Sequence, residues 1–428
     1  MEASATVARP PSRLIAGIPL PVIAVALAVA ATLLGDSMLY AVMPSQPEAW
    51  ALSVPAVGVL LSANRFVRLL TNSLAAVAFD RLGSRAPFTF ALVLSVVVTL
   101  AYGWVTAFAV LLVARLAWGT SWSLLRLGGF WTVLDEATDD NRGLLMGAYS
   151  AIVRMGSVGG ALIGALLTDA IGHRTTLTIF AISMAGAGAL WWVTTRGQTP
   201  VRHASPVGGE RTRQGLVAVL SDRRLLVTGS GGLITGLVFS GLVTASLGFF
   251  LKERFGEEII FFGIAVAVTS ATGLLLGAQW SLGLPLAPLL GHLSDCFGRV
   301  RVTSAGFALG AVGLLVLATA SSVPMLLVGV VTAFVAATAL TVGLSATAGD
   351  LAPPERRSAV MSSYATFLDL GSAIGPLIGL SFASLATLRG LYGAAAVVLL
   401  LAAVLFRTAF SGGQSAISEA AADLEAGS

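Results

Sequence analysis

The sequence predicts an all-α membrane protein, with twelve transmembrane helices in two pseudo-symmetric six-helix bundles. Three observations carry this. The chain has 428 residues, of which 56% are hydrophobic and only 11% charged, whereas a soluble domain carries roughly 25% charged residues. Twelve stretches reach the length of about 20 mostly apolar residues that a crossing helix needs. The chain also matches itself at an offset of 215 residues, the separation of Asp80 and Asp295.

In the first half the apolar stretches predict spans over Leu14–Val42, Val54–Phe79, Pro87–Trp104, Phe108–Leu134, Leu144–Ile171 and Thr175–Val193. In the second half they predict Leu225–Leu251, Ile259–Leu293, Val302–Ala320, Val323–Ala348, Ala359–Phe382 and Leu385–Phe406. The eighth is overlong and holds Pro285 and Pro288, which predict a kink. The organisation expected is an N-terminal segment 1–13, a six-helix half 14–195, a linker 196–223, a second half 224–410 and a mobile acidic tail 411–428. The apolar stretch after Arg9 and Arg13 is too long for a cleaved signal and reads as a retained first span. The single cysteine, Cys296, excludes an intramolecular disulfide.

Charge sets the expected orientation. The 25 basic residues are 24 Arg and Lys252. With a cytoplasmic N-terminus, 16 of them face the cytoplasm; Arg174, Lys252, Arg254 and Arg389 face outward. That bias obeys the positive-inside rule and puts both termini in the cytoplasm, the bacterial inner membrane being the expected home.

The repeat reaches beyond glycine and leucine. Arg142, Met146, Tyr149, Gly156, Ser157, Gly160 and Gly164 fall on Arg357, Met361, Tyr364, Gly371, Ser372, Gly375 and Gly379. Six spans per half make the repeats parallel, an arrangement that places a solute between halves near the midplane.

Two loops carry a family likeness. One reads A-V-A-F-D-R-L-G-S-R from Ala76 to Arg85, the other G-H-L-S-D-C-F-G-R-V-R from Gly291 to Arg301. Both resemble the cytoplasmic signature of the major facilitator superfamily, with Ala76 where the family usually has Gly. The segment R-L-A-W-G from Arg115 to Gly119 resembles its second signature. Gly156–Gly160 and Gly164 resemble its antiporter signature without the proline, which stands instead at Pro376 in the eleventh span. The resemblance implies the major facilitator fold and secondary active transport of a small molecule by alternating access, without a cofactor. From the residues themselves, Asp80, Gly83 and Arg85, with Asp295, Gly298 and Arg299, are the expected gate: a carboxylate beside a tight turn can hold a helix N-terminus or an Arg in one state and release it in the other.

A charge at the bilayer centre costs roughly 2.5–3.5 kcal/mol on insertion scales, so each one is a functional candidate. Arg65, Arg68, Arg115, Arg126, Arg154, Asp36 and Asp369 all fall within spans. Arg65, Arg68 and Asn72 share a helical face, as do Arg115, Gly119, Trp122 and Arg126. The expected solute site comprises Arg65, Arg68, Arg115, Arg154, Asn64, Trp122, Arg126 and Gln279. Five guanidiniums against two carboxylates favour an anionic or zwitterionic solute. Asp369 is the repeat counterpart of Arg154 and could face it. Asp36 and Asp369 are the expected proton carriers, since His173, His203 and His292 read as loop residues.

No metal cluster, catalytic triad or nucleic-acid signature is present, so an enzyme is not expected. The expected partners are a small-molecule substrate, the bilayer and a coupling proton, with the chain a monomer. Two alternatives stand beside the anion carrier. One is efflux of amphiphilic drugs or metabolites, suggested by Trp118, Trp122 and Trp131. The other is a non-transporting receptor or scaffold on the same fold.

Overall fold

The computed structural model describes residues 14–15, 17–197, 209–261, 263–383 and 387–426, the side chains of 15, 209–214, 261 and 411–426 excepted. The expected N-terminal segment 1–13, residues 198–208 of the linker between halves with His203 among them, and the side chains of the acidic tail lie outside the described residues.

Twelve described helices are long and apolar enough to cross a membrane. In the first half they are Leu20–Val42, Val54–Leu82, Arg85–Trp104, Phe108–Glu136, Arg142–Ile171 and His173–Thr195. In the second they are Arg223–Phe255, Val268–Phe297, Arg299–Thr319, Val323–Leu351, Pro354–Phe382 and Leu388–Phe410. Odd and even spans run in opposite directions. One end of the bundle therefore carries the Asp80 and Asp295 loops, and the other carries Asp169 and the starts of the second and eighth spans.

Three local departures from the sequence reading have physical causes. The eighth helix starts at Val268, because Glu258–Phe261 and Ile264–Ala267 form an antiparallel hairpin. Gly263, at φ 86°, supplies the left-handed residue of its turn, and β-branched Ile259, Ile260 and Ile264 suit strands. Apolarity alone cannot separate such a hairpin from a helix end. Second, a helix over Gly209–Ser221 occupies part of the expected linker and packs on the eleventh span, where Gly215 lies against Ala359. Third, His173 opens the sixth helix and His292 lies inside the eighth, both near helix ends rather than in loops.

Within each half, glycines set how close the helices come. Gly156 and Gly160 bring the fifth span against the backbone of Ala30 and Leu34 in the first; Gly371 and Gly375 do the same between the eleventh span and Leu233 and Leu237 in the seventh. The glycines that resemble an antiporter signature thus serve as helix contacts in both halves. Between halves, the second span meets the eleventh and the fifth meets the eighth. A Cβ at Gly58 would stand 2.9 Å from the Pro376 carbonyl oxygen, so even alanine there would push the halves apart.

Candidate functional site

At the centre of the first half, Asp36 and Arg115 form an ion pair of 2.6 Å between the first and fourth spans. Arg115 is wholly buried, and its Nε donates to the Leu60 carbonyl oxygen at 3.1 Å. Asn64, also buried, donates to Asp36 at 3.4 Å. The guanidinium stacks 5.7 Å from the rings of both Tyr40 and Tyr102. Arg115 and Asn64 are therefore buried inside one half, with Asp36 largely covered beside them. In the conformation seen, a solute between the halves would not touch Arg115.

Arg65 and Arg68 lie one turn apart on the second span. Arg65 donates from Nε to the Tyr40 hydroxyl at 3.0 Å. Arg68 reaches into the other half and pairs with Asp369 at 3.4 Å. The repeat counterpart of Asp369, Arg154, does not meet it; Arg154 Nη1 donates to the Trp280 carbonyl oxygen at 3.3 Å. Sequence offset gives pseudo-equivalent positions but not partners, because the second span packs on the eleventh while the fifth packs on the eighth.

A cavity of about 370 Å³ opens beside these charges. Arg126 and Arg154 supply its cations, and Trp122, Phe130, Tyr149 and Trp280 much of its apolar wall. Gln279, next to Trp280, has its Oε1 buried with no hydrogen-bond partner among the described residues. Asp36 and Asp369 each take one arginine. Among the described residues, Arg65, Arg126 and Arg154 then have no carboxylate within ion-pair distance. A guanidinium within a span and without an ion-pair partner is a functional candidate.

At the Asp169 end the halves are bolted together. The eighth helix has Ala267 at its N-cap, which offers no side-chain acceptor. Asp169 of the fifth span replaces it from the other half, accepting from the Ser270 backbone N–H at 3.0 Å and from Ser270 Oγ at 2.5 Å. Gln46 donates to Thr269 Oγ1 at 2.7 Å, and Lys252 pairs with Glu48 at 2.6 Å. Burial pulls the Glu48 carboxyl up, but the hydrogen bond from Lys252, its own backbone and the lysine charge outweigh this and hold it below its ordinary value. The Glu48 carboxylate thus stays ionised down to the usual carboxylate range, and its contribution is lost only as pH falls below that. The contacts between halves at Gln46, Glu48, Arg68, Arg154 and Asp169 all lie between this end and the level of Arg68 and Arg154.

At the opposite end, Gly83 and Gly298 stand at φ 73° and 90° and end the second and eighth helices. Asp80 lies in the last turn of the second helix and Arg85 opens the third. Asp295 pairs with Arg299 at 3.1 Å, and Arg299 also bonds Asp350 of the tenth span. The sequence reading missed Asp350, although Asp135 stands at the repeat offset from it. It also missed Asp169, which sits near the end of a predicted span, and the cavity walls Tyr149 and Trp280.

Because Asp169 is a carboxylate on a helix N-terminus, Asp169→Asn should loosen that end. A charged hydrogen bond contributes roughly 1.5–3 kcal/mol, so the closed-to-open ratio should fall about ten- to hundredfold. Spin-label distances between positions 51 and 258, in a Cys296→Ser background, should lengthen. Unchanged distances would make Asp169 a helix cap without a gating role.

Comparison with known proteins agrees with this architecture. The Major Facilitator Superfamily profile matches residues 25–283 and 262–422. A triacylglyceride transporter of Mycolicibacterium hassiacum is 37% identical over 112 residues, 26% of this chain and 19% of that protein. An uncharacterized MFS-type transporter of Burkholderia pseudomallei is 28% identical over 279 residues, 64% of this chain and 62% of its own length. The aligned part thus spans about a fifth of the first relative and under two thirds of the second. The crystal structure of a bacterial homologue of the human lysosomal transporter Spinster, inward-facing and occupied, superposes with a TM-score of 0.74 at 16% identity, over 91% of this chain and 96% of that one.

Proposed function

The chain belongs to the major facilitator superfamily of transporters, and from that premise we propose that it carries a small anionic or zwitterionic solute across its membrane by alternating access, coupled to protons. The observation behind this reading is that Arg126 and Arg154 line a cavity of about 370 Å³ and, like Arg65 on the second span, have no carboxylate at ion-pair distance among the described residues. Arg offers a planar fork that fits carboxylate or phosphate. Solute enters from the Asp80 and Asp295 end, because the Asp169 end is bolted in this conformation. Binding draws the open end shut, and the Asp169 contacts then break. The Asp80–Arg85 and Asp295–Arg299 loops act as the gate at the end that closes, and the arginine-rich end faces the cytoplasm.

Proton coupling falls to Asp369. It bridges the halves through Arg68 and keeps 25% of its side chain exposed. A proton on Asp369 frees Arg68 for the solute, while an ionised Asp369 competes for it. Asp36, locked onto the buried Arg115, is the weaker of the two carriers.

A second reading, efflux of amphiphilic compounds, draws on Trp122, Phe130, Tyr149 and Trp280 around the same cavity. Proteoliposome transport of simple anions and of amphiphiles, with and without a pH gradient, separates the readings. On the first, Arg154→Lys keeps the charge but loses the fork, and affinity for the anion should fall about tenfold or more. Unchanged anion transport by Arg65→Lys and Arg154→Lys would make these arginines helix ties and leave the amphiphile reading standing.

A further inference from the structure

On the outer face of the second half, away from the path between the halves, the ninth and twelfth spans lie antiparallel, with a groove of about 500 Å³ between them. Where two apolar helices meet, large side chains would normally close the seam. Here the ninth span offers Ala305 and Ala308 and the twelfth offers Ala403. The seam stays open as a trough, and exposed Val312, Leu315, Leu400 and Leu401 extend an apolar surface around it.

The charged end of the trough follows from the helix directions. The ninth span begins where the twelfth ends, so Arg301 and Arg407 line the same groove at the Asp295 end of the bundle. Arg301, Ser304, Ala305 and Ala308 follow i, i+3, i+4 and i+7, one helical face. Among the described residues neither Arg301 nor Arg407 has an ion-pair partner. Ser304 Oγ, between the charged end and the alanines, is buried without a hydrogen-bond partner among those residues.

We propose that this groove seats one anionic phospholipid from the leaflet at the Asp295 end. Its phosphate sits between Arg301 and Arg407, the Ser304 hydroxyl donates to it, and an acyl chain lies in the trough of Ala305, Ala308 and Ala403. Two guanidiniums and a free hydroxyl match a phosphodiester, and basic pockets between spans suit lipid headgroups. A soluble anion would use the charged end and leave the trough empty. The acidic tail competes poorly, because the helix that begins at Leu388 continues to Ala426 and, at 1.5 Å per residue, carries position 419 roughly 18 Å beyond Arg407.

The test is native mass spectrometry of the purified full chain, titrated with phosphatidylglycerol, with phosphatidylcholine of the same acyl chains, or with inorganic phosphate, alongside thermal melting. Wild type should hold one phosphatidylglycerol molecule at least tenfold more tightly than phosphatidylcholine, and that lipid should raise the melting temperature where phosphate does not. Arg301→Gln/Arg407→Gln should lose the selectivity. Ala308→Trp, which fills the trough and leaves both arginines, should also weaken the lipid at least tenfold. Undiminished selectivity in the arginine variant would overturn the site. Ala308→Trp binding as wild type, or phosphate alone reproducing the stabilisation, would overturn the lipid assignment in favour of a bare anion. Tighter lipid binding by Glu419→Gln/Asp423→Asn/Glu425→Gln would assign the groove to the tail.

Discussion

Arg115→Ala is expected to destabilise the purified protein by about 3–5 kcal/mol, the cost of leaving a buried charge without its partner. The stranded group is Asp36, held 2.6 Å from a guanidinium that is itself wholly buried. Asp36→Ala should cost as much for the converse reason, since the guanidinium would keep only the Leu60 carbonyl and two tyrosine rings. Removing both charges together, as Asp36→Leu/Arg115→Leu, should cost less than either single change, because the desolvation penalty disappears along with the attraction. Thermal unfolding in one detergent at fixed pH measures all three. Arg65→Ala is the control: Arg65 is only partly buried and bonds to a neutral hydroxyl, so its loss should move the melting temperature little. Additive losses in the double variant, or a mild Arg115→Ala, would rule out the view of this pair as the tie that fixes the first half.

The span count was legible because membrane crossing is a length-and-apolarity property, which sequence states directly. The repeat was legible because Asp80, Tyr149 and Arg142 find chemical equals at one offset. Pairing was not legible. The sequence placed Arg154 and Asp369 at equivalent depth, yet contacts depend on which span faces which across the divide, and Arg68 took the carboxylate. Arg115 looked like a cavity residue by its spacing from Trp122 and Arg126 on the fourth helix. Helical spacing gives a shared face but not the end of that face at which the wall closes, and Arg115 falls on the closed side. The hairpin before the eighth span escaped because isoleucine-rich strands and helix ends have the same hydropathy. Asp169 escaped because a carboxylate near a span end reads as solvated. Its partner, the uncapped start of the eighth helix, is a hundred residues away and visible only once Ala267 is known to be the N-cap.

Asp369→Asn should abolish accumulation driven by a pH gradient while leaving solute exchange. The argument begins with position. The Arg68–Asp369 pair joins the second and eleventh spans, so it belongs to the interface between halves that the proposed alternating access rearranges. Its groups are 15% and 25% exposed, open enough for a proton to arrive and dry enough for the charge to matter. Asparagine has nearly the same shape but cannot ionise. It removes the competitor that withholds Arg68 from the solute, so binding should hold or tighten, and exchange of labelled for unlabelled solute should survive. What disappears is the link between protonation and the state of Arg68, and with it net movement against a gradient. Asp36→Asn should behave oppositely, lowering thermal stability while keeping gradient-driven transport in the protein that remains folded. The experiment compares both variants in proteoliposomes, measuring uptake under an imposed pH gradient and counterflow without one. Gradient-driven accumulation that persists in Asp369→Asn and vanishes in folded Asp36→Asn would transfer the proton to Asp36. Persistence in both would mean that the coupling ion is not a proton carried by either carboxylate.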